Sequence, residues 1–266
     1  MSGHAVEIVQ YPLECSDDLP KPHALIALHR ATERSNPRER YHADLQRDKR
    51  GVSFALTQMF DQFSAPLECL EEDVHWRRDA LGKPFVVFEG EVAEWAEGAG
   101  FEAQHLHVSN THDGNRQLLL AVYAPHVVGI GVDIVHLPRL SRLSQDRAYF
   151  DHFARKFMSE TEKALVQPFL ETEELESLRL RIAAHFSLME SASKACGTGL
   201  KVGLGMGKPS SLPMQSLGAR RLSPTTELLI EGYALERLEA LGANRTFGAW
   251  EAQGDYLTSV VLLMRE

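Results

Sequence analysis

Residues 5–13, AVEIVQYPL, read as a short strand ended by Pro12. The stretch 21–62 reads as mainly helical, interrupted near Asn36-Pro37, because a residue ahead of proline is pushed out of the helical region. Leu81-Gly82-Lys83-Pro84 is a turn signal, and the FVVFEG that follows it is strand-like. The Glu-rich stretch 89–97 predicts a surface helix or loop. Apolar runs at 105–108 and 118–123 come next, joined through Asn110-Thr111-His112-Asp113-Gly114. Pro125-His126 then separates a first half, 1–125, from a second, 126–266. The second half opens on VVGIGVDIV at 127–135, a buried-looking strand. Helical segments are predicted at 144–170 and 173–198, and strands at 226–233 and 246–264, the last a hairpin turning near Gly254-Asp255. Strand, helices and strands thus recur in both halves without sequence identity between them, and no short-period repeat stands out.

Two positions break the apolar pattern. In the strand at 130–135, alternation puts Ile130, Val132 and Ile134 on one face and Gly131, Asp133 and Val135 on the other. A carboxylate in so apolar a strand needs a partner, a hydrogen-bond network or a metal. Hard cations such as Mg2+ take oxygen ligands, so Asp133 is a candidate, beside a carboxylate that caps a strand end or pairs with arginine. In the helix at 173–198, Leu175, Leu178, Ile182, Phe186 and Met189 form an apolar stripe at steps of three and four. Arg179, Ala183, Glu190 and Lys194 gather on a different face, where small residues at Ala183 and Ser187 would leave room beside Glu190 for a ligand. Glu190 and Lys194 at i, i+4 are equally compatible with a surface ion pair. Gly197-Thr198-Gly199 ends the helix.

Composition narrows the classes. The 266 residues hold 37 acidic and 28 basic side chains, a net charge of −9, with 44% hydrophobic residues. Disorder and small disulfide-stapled scaffolds are excluded. The acidic balance argues against nucleic acid as a partner, yet a pocket can be locally basic. Residues 30–50 carry seven basic and four acidic side chains, +3 in a chain of −9, which reads as a solvated helical face or a phosphate-facing surface. Three scattered cysteines, Cys15, Cys69 and Cys196, form no CxxC pair and suit a reducing compartment. The N-terminus lacks the pattern of a secretory signal, and no apolar run approaches the ~18 residues that span a bilayer, so a cytoplasmic protein is expected.

Several motifs fail. Gly203-Leu-Gly205-Met-Gly207-Lys208-Pro209-Ser210 suggests a phosphate loop, but Val202 stands where a Walker motif needs glycine and Pro209 where it needs Ser or Thr. His105, His107 and His112 lack an HExxH arrangement, and no GxSxG elbow marks a hydrolase.

Taken in order, GIGVDIV, then FARKFMSETE at 153–162, then HFSLMESASKACGTG at 185–199, resemble the 4′-phosphopantetheinyl transferase superfamily. GIGVDIV and the GTG ending resemble the small holo-acyl-carrier-protein synthases. Length, Arg78-Asp-Ala-Leu-Gly82-Lys83-Pro84 and Val108-Ser-Asn-Thr-His112-Asp-Gly resemble the two-lobed surfactin type. The resemblance covers about residues 78–200. It implies an α+β fold of two similar lobes related by a pseudo-two-fold, each a small, mainly antiparallel sheet packed with a long helix. Lobe 1–125 would contact the CoA phosphates, and lobe 126–266 would carry the metal and catalytic motifs.

The implied reaction moves 4′-phosphopantetheine from coenzyme A to a serine of an acyl or peptidyl carrier protein, with Mg2+, releasing 3′,5′-ADP. By motif match Asp133 and Glu190 hold the metal, and Lys194 contacts the reacting phosphate or assists proton transfer. Glu190 or a metal-bound water acts as base. His112, Thr111, Lys83 and Arg78 grip the CoA phosphates, joined by Arg50 and Arg47. Arg139 faces the acidic carrier helix. A monomer is expected. Two positions depart from the family pattern: Val135 replaces a second acidic residue after Asp133, and Met189 replaces the lysine before Glu190. Ser109 for Asn and Phe186 for Trp are milder changes. Met189 motivates one alternative, a non-catalytic carrier- or CoA-binding relative. The imperfect glycine loop motivates another, an unrelated nucleotide-binding protein.

Overall fold

The computed structural model describes residues 6–8, 23–30, 70–79, 83–113, 116–160, 163–164, 175–201, 212–213, 216–219, 225–226 and 228–265. The chain divides into two compact units, Met1–Val127 and Val128–Glu266.

In the first unit, strands β1 (Val6–Ile8) and β2 (His23–Arg30) join β5 (Leu106–Asp113) and β6 (Arg116–Tyr123) in the antiparallel order β1-β2-β6-β5. A short helix α1 (Leu70–Asp73) leads into a hairpin of β3 (Val74–Arg78) and β4 (Pro84–Phe88), followed by helix α2 (Gly90–Ala99). β6 lies between β2 and β5, and its run Leu118–Leu119–Leu120–Ala121–Val122 is buried without a break. A strand covered on both faces shows continuous apolar sequence in place of alternation. Gly100, left-handed at φ 66°, closes α2 by donating to Ala96 and Glu97, and Phe101 then stacks on Tyr123 with ring centroids 4.0 Å apart.

The expected helix at 21–62 is corrected where it is described, since His23–Arg30 is a strand. Its apolar centre, Ala24 to Leu28, suits a buried strand as well as a helix, and pairing with β1 on one edge and β6 on the other decides the matter. The rest of that stretch, with Arg47 and Arg50, lies outside the described residues, as does the glycine loop at 203–210.

In the second unit, β7 (Val127–His136) opens the chain path. Helices α3 (Ser141–Gln145), α4 (Arg147–Phe157) and α5 (Leu175–Ala195) follow. Two-residue strands β8 (Leu200–Lys201) and β9 (Leu212–Pro213) pair in parallel. Next come β10 (Leu217–Ala219), β11 (Thr225–Thr226), β12 (Leu228–Ile230) and α6 (Tyr233–Ala240), and the chain ends in the hairpin β13 (Arg245–Gln253) and β14 (Tyr256–Met264). The main sheet has the order β11-β13-β14-β7. The hairpin turns at Gly254 and Asp255 as predicted, with Gly254 at φ 57° in the left-handed region that a two-residue loop requires. The strand expected at 226–233 ends at Ile230, and a helix begins at Tyr233, where Ala234 and Leu238 turn inward one helical turn apart.

The 21-residue α5 lies on this sheet. Its Leu188, Met189, Ala192 and Ala195, with Cys196 just after it, pack with Leu217, Leu228, Val261 and Leu263 in the main core. Fold class is therefore mixed α+β, built on small, mainly antiparallel sheets with helices against them.

Candidate active site

Strand β7 meets helix α5 through backbone. A Cβ on Gly129 would lie 2.3 Å from the Ala195 carbonyl oxygen, and one on Gly131 would lie 1.8 Å from the Ser191 carbonyl oxygen. Only glycine fits at either position. Two residues along a strand advance roughly 6.6 Å, and four along a helix advance roughly 6 Å. The pairs Gly129–Ala195 and Gly131–Ser191 are therefore followed, in step, by Asp133–Ser187, with strand and helix running in opposite directions. The next strand residue on that face is the carboxylate.

Asp133 is only 7% exposed. Lys194 Nζ donates to its Oδ1 at 3.0 Å and to the Val132 carbonyl at 2.9 Å, and Ser187 Oγ donates to its Oδ2 at 3.2 Å. Glu190, half-buried one turn before Lys194, is electrostatically coupled to both. Burial pushes the Glu190 carboxyl above its ordinary value, and the Asp133 charge pushes it the same way. The Lys194 ammonium pulls only partly against them. Ser187 is in turn 2.8 Å from Ser259 Oγ, which is 2.7 Å from Ser191 Oγ. The described part of this site thus holds two carboxylates, one ammonium and three buried hydroxyls.

The structure brings Asp133, Glu190 and Lys194 together; spacing on the helix predicts the pair Glu190 and Lys194, and the family resemblance adds Asp133. The room expected beside Ala183 and Ser187 is taken by protein: Ala183 packs with Leu137, Ala184 and Leu257, and Ser187 faces Asp133 and Ser259. Met189 has no exposed surface and belongs to the core, so its side chain extends the apolar stripe and leaves no hole among the polar groups. Val135 is buried too. Among the described residues no three His, Cys, Asp or Glu side chains form a cage for a metal.

The remaining candidates sit elsewhere. In the first unit, Arg78 ends β3 and Lys83 precedes β4; Asp79 N–H donates to the Lys83 carbonyl at 3.0 Å and Lys83 N–H donates to Asp79 Oδ1 at 2.9 Å. Lys83 lines a cavity of about 700 Å3 together with Phe85, Phe88, Ala96, Phe101 and His107. Thr111 and His112 are neighbours on β5, so they leave opposite faces of the strand, Thr111 buried and His112 exposed. In the second unit, Arg139 is exposed on the 3-10 turn Leu137–Leu140. Sequence reasoning missed the roles of Ser191 and Ser259; the available signal was a small-residue row, Ser187, Ser191 and Ala195, at the same four-residue spacing as the helix turns.

A profile of the 4′-phosphopantetheinyl transferase superfamily matches residues 129–237. Holo-[acyl-carrier-protein] synthases of Nitratidesulfovibrio vulgaris strains DP4 and Hildenborough are each 31% identical over 137 residues, 52% of this chain and 98% of theirs. Among solved structures, the holo-acyl-carrier-protein synthase of Plasmodium yoelii is 19% identical, with a TM-score of 0.40 over 53% of this chain and 97% of that one. The Neisseria meningitidis enzyme is 24% identical, with a TM-score of 0.38 over 52% and 99%.

Proposed function

The chain belongs to the 4′-phosphopantetheinyl transferase superfamily, and from that premise we propose that it moves the 4′-phosphopantetheine arm of coenzyme A onto a serine hydroxyl of an apo acyl or peptidyl carrier protein. The serine oxygen forms a bond to the pantetheine-bearing phosphorus, the bond from that phosphorus to 3′,5′-ADP breaks, and the serine proton passes to a base. The observation that carries the reading is the Asp133–Glu190–Lys194 cluster, held at a backbone-on-backbone contact within residues 129–237, the stretch that the superfamily profile matches.

Two hard oxygen donors close enough to raise one another's charge cost fit Mg2+, which typically binds one or two carboxylates and completes its shell with water and substrate phosphates. Asp133 and Glu190 would hold it, and Val135 matters little to such a site. When bound, the ion supplies neutralisation of charge on the pyrophosphate. The protein's own groups do the rest. Lys194 has two N–H groups committed to Val132 and Asp133, and its third is available to donate to a phosphate oxygen. Glu190, its carboxyl raised by burial and by Asp133, is a stronger base than an exposed glutamate and suits acceptance of the serine proton. Lys83, Arg78, Thr111 and His112, with Arg47 and Arg50, are assigned to the CoA phosphates, and Arg139 to the carrier. A single chain carries every assigned group, so the reading requires no second copy. It places the reaction in the cytoplasm. Among the described residues no helix is long and apolar enough to cross a membrane.

Because Met189 is a core residue here, its replacement of lysine gives no support to a non-catalytic relative. The deciding assay incubates the protein with CoA, Mg2+ and an apo carrier protein and follows the carrier by mass spectrometry. A gain of one phosphopantetheinyl group is expected. Asp133→Ala and Glu190→Ala should each lower the rate by about 100-fold or more. His112→Ala should raise KM for CoA with little change in kcat. Absence of the mass gain with every carrier class, while CoA still binds, overturns the transferase reading.

A further inference from the structure

Resting on the reading that Asp133 helps to hold a divalent cation, we propose that Ser187, Ser191 and Ser259 form a positioning chain for its carboxylate, with Ser187 the member that acts on it directly. All three hydroxyls are buried, at 0%, 0% and 1% exposure. Each has one proton, and a carboxylate only accepts. Ser187 therefore donates its proton to Asp133 Oδ2 at 3.2 Å. The 2.8 Å bond between Ser187 and Ser259 must then use the proton of Ser259, and the 2.7 Å bond between Ser259 and Ser191 must use that of Ser191, whose other acceptor, the Ser259 carbonyl, lies farther off at 3.3 Å. The chain has one direction, Ser191 to Ser259 to Ser187 to Asp133, and donors in series polarise one another.

Packing alone does not explain it. On the same helix the equally buried positions 183, 184, 192 and 195 are alanine, which fills a close helix–sheet contact without a polar group to satisfy. The buried serines of this helix all have polar partners: Ser193 donates to the Glu190 carbonyl at 2.8 Å, while Ser187 and Ser191 face Asp133 and Ser259. The result is that Asp133 is gripped from both ends, by Lys194 on Oδ1 and by Ser187 on Oδ2, seven residues apart on one helix. Two donors fix the plane of the carboxylate, and Ser259, on β14, ties that plane to the centre of the sheet.

Metal affinity distinguishes positioning from packing. Mn2+ alone, titrated into the full-length protein and followed by electron paramagnetic resonance, should bind wild type and lose most of its affinity in Asp133→Ala. Ser187→Ala should weaken Mn2+ binding by about tenfold, the low end for loss of a group that orients a metal ligand. Ser187→Thr, which keeps the hydroxyl, should bind within about threefold of wild type. Ser259→Ala should weaken binding less than Ser187→Ala. The double variant should be no weaker than Ser187→Ala, because the chain cannot reach Asp133 once Ser187 is gone. Ser187→Ala or, if that variant folds poorly by circular dichroism, Ser259→Ala binding Mn2+ as wild type does would overturn the proposal, whatever its melting temperature. Wild type that binds no Mn2+, or Asp133→Ala that binds it fully, overturns the metal reading itself and this proposal with it.

Discussion

At Glu190 burial and a neighbouring negative charge outweigh the attraction of Lys194, and this has a consequence for stability as well as for chemistry. A glutamate whose folded pKa lies above its unfolded value of 4.5 binds more protons in the native state between the two values. Stability therefore falls as pH rises through that window, and above it the ionised group is a fixed burden on the fold. Glu190→Gln should raise the melting temperature near pH 7.5 in metal-free buffer, and the difference should vanish near pH 4; a variant less stable than wild type at neutral pH would contradict the assigned cause. Met189 makes the complementary prediction. Its side chain is wholly within the core, so Met189→Lys, although it restores the family's residue, should lower unfolding stability by about 2–4 kcal/mol in urea titrations. At this scale the sequence was readable where a residue broke a pattern: Asp133 stands out because a charge in an apolar strand demands an explanation. Serine breaks no pattern. Ser187 and Ser259 lie 72 residues apart, and only the closed sheet brings them together.

Among the elements, the contact of β7 with α5 sets the strictest condition. Gly131→Ala would force its Cβ against the Ser191 carbonyl, backbone that cannot swing aside, so a loss of about 3 kcal/mol or more is expected by urea unfolding. Gly98, on α2, has no atom within 4 Å of the same hypothetical carbon, and Gly98→Ala should be neutral or stabilising by up to about 1 kcal/mol. The two substitutions are chemically identical, so a similar effect would refute the close approach. Elements with an unambiguous signal were legible: the β13–β14 hairpin from its Gly-Asp turn, α5 from its stripe, β7 from its apolar run. β2 was not, because Ala-Leu-Ile-Ala-Leu carries neither a period of two nor one of 3.6, and its strand partners lie elsewhere in the chain. α6 shows the limit of short stripes, since two inward residues, Ala234 and Leu238, leave helix and strand equally open.

For the whole molecule, a charge of −9 repels both an anionic cosubstrate and an acidic carrier, so recruitment on the proposed reading falls to local cations. Arg139 is exposed and well placed for such a test. Arg139→Glu should lower kcat/KM for the carrier by about tenfold in dilute buffer, with the deficit shrinking as salt shortens the screening length to about 10 Å near 0.1 M. A deficit that is independent of salt would assign the residue a different part.

The glycines of β7 also act as a datum, in the machinist's sense of a surface from which other dimensions are taken. Because strand and helix touch through main chain at Gly129 and Gly131, no side chain of variable length intervenes between them. Core substitutions on the far side of α5 can tilt or translate the pair, but the two move as one body. The 3.0 Å gap between Asp133 and Lys194 is then set by one short and one long side chain measured from a common origin, with the Val132 carbonyl holding the far end of the lysine. Sequence drift in the surrounding core is thereby uncoupled from the spacing of the groups to which the proposed reading assigns the chemistry.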